Sequence, residues 1–419
     1  MALSAKLGLF DAFSIGLGAI IGAGIFVVTG VAAGVAGPGL MLSLIIAAVV
    51  SAFTAMSFAE LAHRIPKDGG GYEFAHEIIS PMGGFISGWL WLSSNVITGA
   101  VVALGFASYL AIFIPLPVNL IAASACVVVT IVNYLGMKDS ALLNDILVVF
   151  KVLVLLAFFI IGALFVKPSN FAPFLPHGSM GVMEGAALVF FAYAGFGRVA
   201  MVSEEVRDPQ RTVPRAILLS LVISALIYFA VSFVAIGMIG APALAGSGSP
   251  LADAAASANA SLANGIALAA LAATLSVLLT TVLGMSRISY AMARNHDLPR
   301  ALMRVHKKRG TPYVSIIILG SLMTIMALFS NLLLAAALSN FASIIYYLLV
   351  NASALRMKEP LYSRAFPILG MVTCLALLPF LGLQAWAYGI LILVVGLIAF
   401  FLLRWVLSQR TVRPFKPIR

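Results

Sequence analysis

The feature that most constrains this chain is a series of long apolar segments, separated by short polar breaks, that recurs along the whole sequence. Because a segment of about 20 apolar residues can cross the hydrocarbon core as a helix, twelve of these segments are predicted membrane spans. The spans lie near 12–35, 38–63, 83–114, 117–134, 144–166, 182–203, 214–240, 262–291, 313–329, 331–354, 366–383 and 385–407. The pattern predicts an all-α membrane protein with twelve transmembrane helices.

Charged residues are scarce and unevenly placed. The chain is 62% hydrophobic, and 25 basic against 14 acidic side chains give a formal net charge of +11. This composition excludes a soluble globular domain, and two cysteines are too few for a disulfide scaffold. Most lysines and arginines fall in loops on one side of the predicted spans, which is the pattern of cytoplasmic loops. We therefore expect both termini to be cytoplasmic, and the charge requires no nucleic acid partner.

Two spans contain glycine-rich interruptions. The first span reads Gly-Ala-Ile-Ile-Gly-Ala-Gly over residues 18–24, and the sixth reads Phe-Phe-Ala-Tyr-Ala-Gly-Phe-Gly-Arg over 190–198. A close-packing face of small residues is one interpretation of the first segment. Interrupted spans at corresponding positions of two halves instead indicate a transporter site, and a spacing of five spans makes the second half inverted. Free N–H groups at one break would attract a carboxylate, and carbonyls at the other an ammonium group, as in an amino acid.

Several motifs carry a family resemblance. They are Gly16–Phe26, then Phe58-Ala59-Glu60-Leu61 with Gly69-Gly70-Gly71-Tyr72, then Ser203–Arg215, and finally Ser286-Arg287 with Tyr290–Arg294. Their joint order and spacing resemble the amino acid–polyamine–organocation (APC) superfamily, and in particular its prokaryotic proton-coupled amino acid transporters. The resemblance implies the leucine-transporter (LeuT) fold, with two inverted five-helix repeats and broken first and sixth helices. It assigns 8–166 to the first repeat, 181–354 to the second, 365–407 to two further helices and 408–419 to a cytoplasmic tail of one transporter domain (1–419).

The resemblance also implies positions for the substrate. The N–H groups of Ala23 and Gly24 would bind the substrate carboxylate. The carbonyls of Ile20, Phe191 and Ala194 would accept from the α-ammonium group, and the ring of Phe191 would close over the substrate from outside. At Gly197 arginine-transporting members have an acid. Its absence predicts neutral substrates, because a cationic side chain would be desolvated without a partner.

Lys151 stands in the middle of the fifth span, where a charge costs about 3 kcal/mol on insertion scales and therefore suggests a function. A lysine that reaches the membrane surface, or one with a structural partner, is the alternative. In proton-coupled relatives the matching lysine approaches carbonyls of the first-helix break, here Gly18 and Ile21, and a hydroxyl, here Ser276. The resemblance thus implies coupling to protons, with no cofactor and no metal.

Two further charged residues suggest gating. Arg198 closely follows the sixth-span break, where it either binds an anionic group of the substrate or forms a structural or gating pair with Glu204 or Glu60. We favour the pair. Glu60 closes the second span, which suits a gate or a loop contact better than a substrate ligand.

These features predict a secondary active transporter in the cell membrane. The preferred activity is proton-coupled symport of neutral L-amino acids by alternating access. An amino acid exchanger, or a polyamine or cationic amino acid carrier without net proton coupling, is the alternative. An enzyme is not expected, because the sequence contains neither a phosphate-binding loop nor a nucleophile elbow. The expected partners are an amino acid and the lipid bilayer; the sequence sets no oligomeric state, and a monomer is compatible with it.

Overall fold

The computed structural model describes residues 7–66, 69–136, 141–306 and 309–411, apart from the side chains of 141–144, 191, 204 and 405–411. Within these ranges every regular element is a helix, and the only bridge between extended segments is a parallel one that joins Leu7 to Val206. The predicted tail at 408–419 lies largely outside the described residues. The prediction of an all-α chain is confirmed for the part described.

Sixteen α-helices follow one another along the chain. They are α1 Leu9–Ile20, α2 Thr29–Ala36, α3 Leu40–Arg64, α4 Gly71–Ile78, α5 Pro81–Leu110, α6 Val118–Leu135, α7 Ala141–Gly162, α8 Gly178–Tyr193, α9 Pro209–Ile239, α10 Ala241–Ala245, α11 Pro250–Ala256, α12 Ala260–Arg294, α13 Tyr313–Phe329, α14 Leu332–Leu355, α15 Ala365–Leu377 and α16 Leu383–Thr411. A π-helical turn, Gly24–Val28, precedes α2, and a 3₁₀ segment, Ala194–Glu205, follows α8.

Nine helical stretches of the described chain are long and apolar enough to cross a membrane. The first of them, Leu9–Arg64, runs for 56 residues and contains α1, α2 and α3. Two shorter apolar helical stretches, Tyr313–Phe329 and Ala365–Leu381, coincide with the predicted ninth and eleventh spans. The chain is thus a multi-pass membrane protein.

Several helix boundaries follow from polar residues at the ends of apolar runs. The side chain of Ser80 accepts a hydrogen bond from the Gly83 N–H at the start of α5, and Pro81 occupies the first helical position. Asn259 and Asn331 cap α12 and α14 in the same way. Such caps satisfy N–H groups that have no acceptor within the helix, which matters most where water is excluded.

The broken segments lie at the centre of the helix packing. Helix α1 packs against the 3₁₀ segment of residues 194–205. Helix α3 packs against α9, α5 packs against α12, and α6 packs against α13. Each of these pairs joins a predicted span to the one five positions later. Helices α15 and α16 lie at the periphery, where α16 contacts α5 and α14 and exposes much of its apolar surface.

Candidate functional site

The two helix interruptions lie back to back. Helix α1 ends at Ile20, and regular α-helix also ends at Tyr193 in the sixth span. A Cβ atom added to Gly24 would lie 2.5 Å from the Cβ atom of Ala192, and one added to Gly195 would lie 2.5 Å from the Ala19 carbonyl carbon. Each break therefore needs glycine where it meets the other, because a side chain at either place would separate the two backbones.

A cavity opens beside this contact and is lined by both breaks, α5, α12 and α14. Its walls are formed by Ala19, Ile20, Gly22, Ala23, Gly24, Trp91, Ser94, Asn95, Thr98, Val102, Ala192, Ala194, Gly195, Gly197, Arg198, Val277, Ser343, Tyr346 and Tyr347. Five of the six predicted substrate-binding residues are in this set. The sixth is Phe191, whose side chain lies outside the described residues.

Backbone N–H groups at the first break suit an anion. Ala23 and Gly24 stand at the start of the helical turn that continues into α2, and both line the cavity. The first N–H groups of a helix have no acceptor within it, and the helix dipole makes this end favourable for negative charge. A carboxylate bound here would accept hydrogen bonds from the backbone without any basic side chain.

Carbonyl groups at the breaks are already contacted by two buried tyrosines. The Tyr228 hydroxyl lies 2.6 Å from the carbonyl oxygen of Ile20 and 3.1 Å from that of Ala192, and the Tyr347 hydroxyl donates to Ala194 at 2.9 Å. Sequence reasoning missed both tyrosines. The available signal was a phenol within an apolar span, which requires a hydrogen-bond partner when buried.

Lys151 of α7 is fully buried and reaches the first break, but it is not one of the residues that line the cavity. Its Nζ donates hydrogen bonds to the carbonyl oxygens of Gly18 at 2.9 Å and Ile21 at 2.8 Å. These carbonyls lose their helical N–H partners where α1 unwinds. The Lys151 amine supplies the hydrogen-bond donors that they then lack. Ser276 is buried in α12, and within the described chain it adds no third hydrogen bond to Lys151.

Arg198 projects from the 194–205 segment onto the cavity wall. Its Nη1 donates to the Thr280 hydroxyl at 2.9 Å, and its Nη2 donates to the Thr281 hydroxyl at 2.7 Å and to the Asn95 side-chain oxygen at 3.4 Å. All three partners are neutral. The sequence suggests Glu60 or Glu204 as a partner of Arg198. It gives no indication of these threonines, whose hydroxyls also bond to carbonyls within α12.

Glu60 lies away from Arg198 and binds a loop. Its carboxylate accepts from the N–H of Leu361 and Tyr362, each at 2.8 Å, and its Oε1 is 3.9 Å from the Nε of Arg64. The side chain is therefore committed to the connection between α14 and α15. The Glu204 side chain lies outside the described residues.

An aromatic cluster bounds the cavity next to Gly197. The ring of Phe58 lies 5.6 Å from the ring of Phe196, 5.9 Å from Tyr347 and 6.0 Å from Phe74, measured between centroids. A Cβ atom on Gly197 would lie 3.3 Å from the Phe58 ring, so Gly197 leaves room for this packing. Through Tyr347, which lines the cavity, the cluster packs α3 against the cavity wall.

Hydroxyl groups form the wall between α5 and α14. The hydroxyl of Ser94 is 2.7 Å from that of Ser343 and 3.1 Å from that of Ser339, and the Thr98 hydroxyl is 2.7 Å from Ser339. Three of these residues, Ser94, Thr98 and Ser343, line the cavity. The side of the cavity that faces the breaks is therefore rich in hydrogen-bonding groups.

Similarity to known proteins extends along nearly the whole chain. Residues 11–410 match the amino acid permease family. The chain is 34% identical to the branched-chain amino acid permease BcaP of Bacillus subtilis, over 96% of this chain and 93% of that protein. It is 32% identical to the methylthioribose transporter of Bacillus subtilis, over 96% of this chain and 94% of that protein. It is 31% identical to the mouse cationic amino acid transporter 4, over 84% of this chain and 59% of that protein.

Proposed function

Because the chain belongs to the amino acid permease family of the APC superfamily, and is an amino acid transporter rather than an enzyme, we propose that it couples the uptake of neutral L-amino acids to protons. The proposed mechanism is symport by alternating access. One observation carries the proposal: the buried amine of Lys151 is bound to the carbonyls of Gly18 and Ile21, at the same helix break that lines the cavity.

The proposed substrate site uses both breaks. The N–H groups of Ala23 and Gly24 bind the α-carboxylate, and the carbonyls of Ile20, Phe191 and Ala194 accept from the α-ammonium group. Carbonyl oxygens have two lone pairs, so those held by Tyr228 or Tyr347 retain capacity for a second donor. The neutral substrate class rests on the cavity wall, which has Arg198 and, within the described chain, no acidic residue.

Lys151 is the proposed proton carrier, with Gly18, Ile21 and Ser276 around it. A protonated amine holds the first break through two charge-assisted hydrogen bonds. Loss of the proton removes the charge and weakens both bonds, which lets the break change its conformation. Proton binding at Lys151 and substrate binding at Ala23 and Gly24 would then be coupled through one short backbone segment.

The proposed architecture is the LeuT fold with twelve transmembrane helices. The first repeat spans 8–166, the second spans 181–354, and two further helices occupy 365–407 within a single domain. The packing of α3 on α9, α5 on α12 and α6 on α13 supports this assignment, since each pair joins equivalent helices of the two repeats. We place the protein in the cell membrane with both termini in the cytoplasm, because its basic residues concentrate in the corresponding loops.

Gating is proposed for three residues. The ring of Phe191 closes over the substrate from outside. Arg198 joins the broken sixth helix to α12 and α5 through neutral acceptors, so this contact must change when the two parts of the transporter move. Glu60 fixes the connection that leads into α15.

Transport in proteoliposomes tests the proposal. Uptake of labelled alanine, leucine and glutamine is measured with an inward proton gradient, with and without sodium, at a fixed membrane potential. We expect the proton gradient to drive accumulation, and sodium to have no effect. Lys151→Met should abolish gradient-driven accumulation while counterflow of the same amino acid persists. Lys167→Met, which changes a lysine in a loop, is the matched control and should leave both unchanged.

Two results would overturn proton symport. One is a requirement for sodium at constant pH. The other is counterflow in the wild-type protein that no pH gradient converts into accumulation, which would establish the exchanger instead.

A further inference from the structure

Arg198 presents a positive charge to the cavity, and the part of the chain that the structure describes supplies no counter-ion for it. No carboxylate of the described residues lies within ion-pair distance of its guanidinium group, and its acceptors are the Thr280 and Thr281 hydroxyls and the Asn95 amide. A partly buried guanidinium group with only neutral acceptors is incompletely compensated, since hydrogen bonds to charged acceptors are roughly twice as strong as those between neutral groups. The site therefore favours a further electron-rich group.

Donor capacity remains on the same side chain. A guanidinium group carries five N–H donors. In the described chain Nη1 makes one hydrogen bond and Nη2 makes two, so Nε and one hydrogen of Nη1 have no acceptor there. The contact to Asn95 is also the longest of the three at 3.4 Å, and is the one most easily replaced by an incoming oxygen.

The cavity wall next to Arg198 also favours a substrate side chain that can form hydrogen bonds. Asn95 donates its own N–H to the Trp91 carbonyl, which directs its oxygen towards Arg198. Ser94, Thr98 and Ser343 add hydroxyl groups to the cavity. An entirely aliphatic side chain placed against this wall would desolvate these polar groups without pairing them, which costs free energy for each unpaired group.

We infer that Arg198 is a specificity-determining residue that binds a carbonyl oxygen in the substrate side chain, so that the preferred substrates carry a carboxamide or carboxylate there. The inference rests on the proposed transport of amino acids through this cavity, and it narrows the class of amino acids that are preferred. With the α-carboxylate at Ala23 and Gly24, the side-chain oxygen is placed at Arg198, which lines the same cavity. Glutamine and asparagine satisfy both this inference and the proposed neutral class, whereas glutamate and aspartate satisfy the inference alone.

Binding to the purified full-length protein tests the inference. Dissociation constants are measured for L-glutamine, L-glutamate, L-lysine and L-norleucine; norleucine has a side chain of similar length to that of glutamine but no oxygen. We expect glutamine or glutamate to bind about 10- to 100-fold more tightly than norleucine, which corresponds to one hydrogen bond to a charged group. Lysine should bind more weakly than norleucine, because its charge repels Arg198.

Variants separate a direct contact from a structural role. Arg198→Gln should lose the 10- to 100-fold preference for the oxygen-containing side chain and leave the affinity for norleucine unchanged. Arg198→Lys should restore part of the preference, because it keeps the charge. Arg287→Gln is the control: it removes an arginine of α12 itself, one that pairs with Glu205 outside the cavity lining, and it should leave all affinities unchanged.

The wild-type measurement alone can overturn the inference, even if the variants do not fold. If norleucine binds as well as glutamine and glutamate, Arg198 does not select the side chain, while amino acid transport stands. An Arg198→Gln variant that folds and weakens every ligand equally would also overturn it. If no amino acid binds to the folded wild-type protein, the proposed function itself fails. Tight binding of glutamate alone would support the inference and contradict the neutral substrate class.

Discussion

Gly195 faces the backbone of Ala19 so closely that a Cβ atom at Gly195 would lie 2.5 Å from the Ala19 carbonyl carbon. The contact is between two main chains, neither of which can rotate away as a side chain can. It joins the interruption of the sixth span to the end of α1 and so fixes the separation of the two breaks that line the cavity. We therefore expect the backbone groups of both breaks to shift when a side chain at Gly195 opens this contact.

We expect Gly195→Ala to destabilise the protein by about 1–3 kcal/mol or more, as overpacking does in tight cores, and to abolish transport. The measurement is the melting temperature in detergent, together with uptake in proteoliposomes. Gly265→Ala is the matched control, because no atom lies within 4 Å of the added Cβ position there. If Gly195→Ala matches the wild-type protein in both measurements, the two breaks can move apart without loss of stability or transport, and the prediction is wrong.

Tyr228 connects the same two breaks through its hydroxyl, which lies between the carbonyls of Ile20 and Ala192. Tyr228→Phe keeps the ring and removes the donor. Leaving a buried carbonyl without its partner costs about 1–3 kcal/mol. We therefore expect a lower melting temperature and weaker amino acid binding. Tyr388→Phe, at a tyrosine that is 49% exposed, should change neither. Unaltered binding in Tyr228→Phe would show that the hydroxyl does not hold the breaks in place.

The sequence indicated the helix interruptions, because glycine clusters in apolar spans are visible within a short window. It did not indicate Tyr228, Tyr347 or the threonines that bind Arg198. Those contacts join spans far apart in the chain, and which face of an apolar helix meets which neighbour is decided by packing rather than by local pattern. The proximity of Lys151 to Gly18 and Ile21 came from family resemblance, since nothing in the fifth span by itself specifies its partner.

A buried carboxyl lies just after α12. The Tyr72 hydroxyl donates to the Asp297 Oδ2 atom at 2.9 Å, Asn295 donates to that hydroxyl, and the Nη2 of Arg404 is 4.0 Å from Oδ1. Burial raises the pKa of the Asp297 carboxyl above its ordinary value, and the hydrogen bond from Tyr72 and the nearby basic groups only partly oppose this. The pKa of the Tyr72 hydroxyl is also raised, chiefly by burial and then by the charge of Asp297.

The raised pKa of Asp297 determines how this group changes the stability of the protein with pH. Because the folded state holds the Asp297 proton more tightly than the unfolded state, this group stabilises the protein at low pH. That contribution is lost as the pH rises from the ordinary carboxyl value of about 4 to the raised value in the folded state. Asp297→Asn cannot ionise, so the melting temperature of the wild type relative to Asp297→Asn should fall across this window. Asp253→Asn removes an exposed carboxylate and serves as the control. A difference that is constant with pH would contradict the prediction.

Glu60 ties the end of α3 to the loop before α15. Its carboxylate accepts from the N–H of Leu361 and of Tyr362, each at 2.8 Å, and is 4% exposed. Glu60→Gln replaces one acceptor oxygen by an N–H₂ group that faces these donors. Hydrogen bonds to charged groups contribute about 1.5–3 kcal/mol, so the amides of Leu361 and Tyr362 should exchange hydrogen about 10- to 100-fold faster. Hydrogen exchange measured by mass spectrometry checks this. Glu359→Gln, at an exposed position in the same loop, should leave both rates unchanged, and equal rates in the two variants would mean that the carboxylate does not hold the loop.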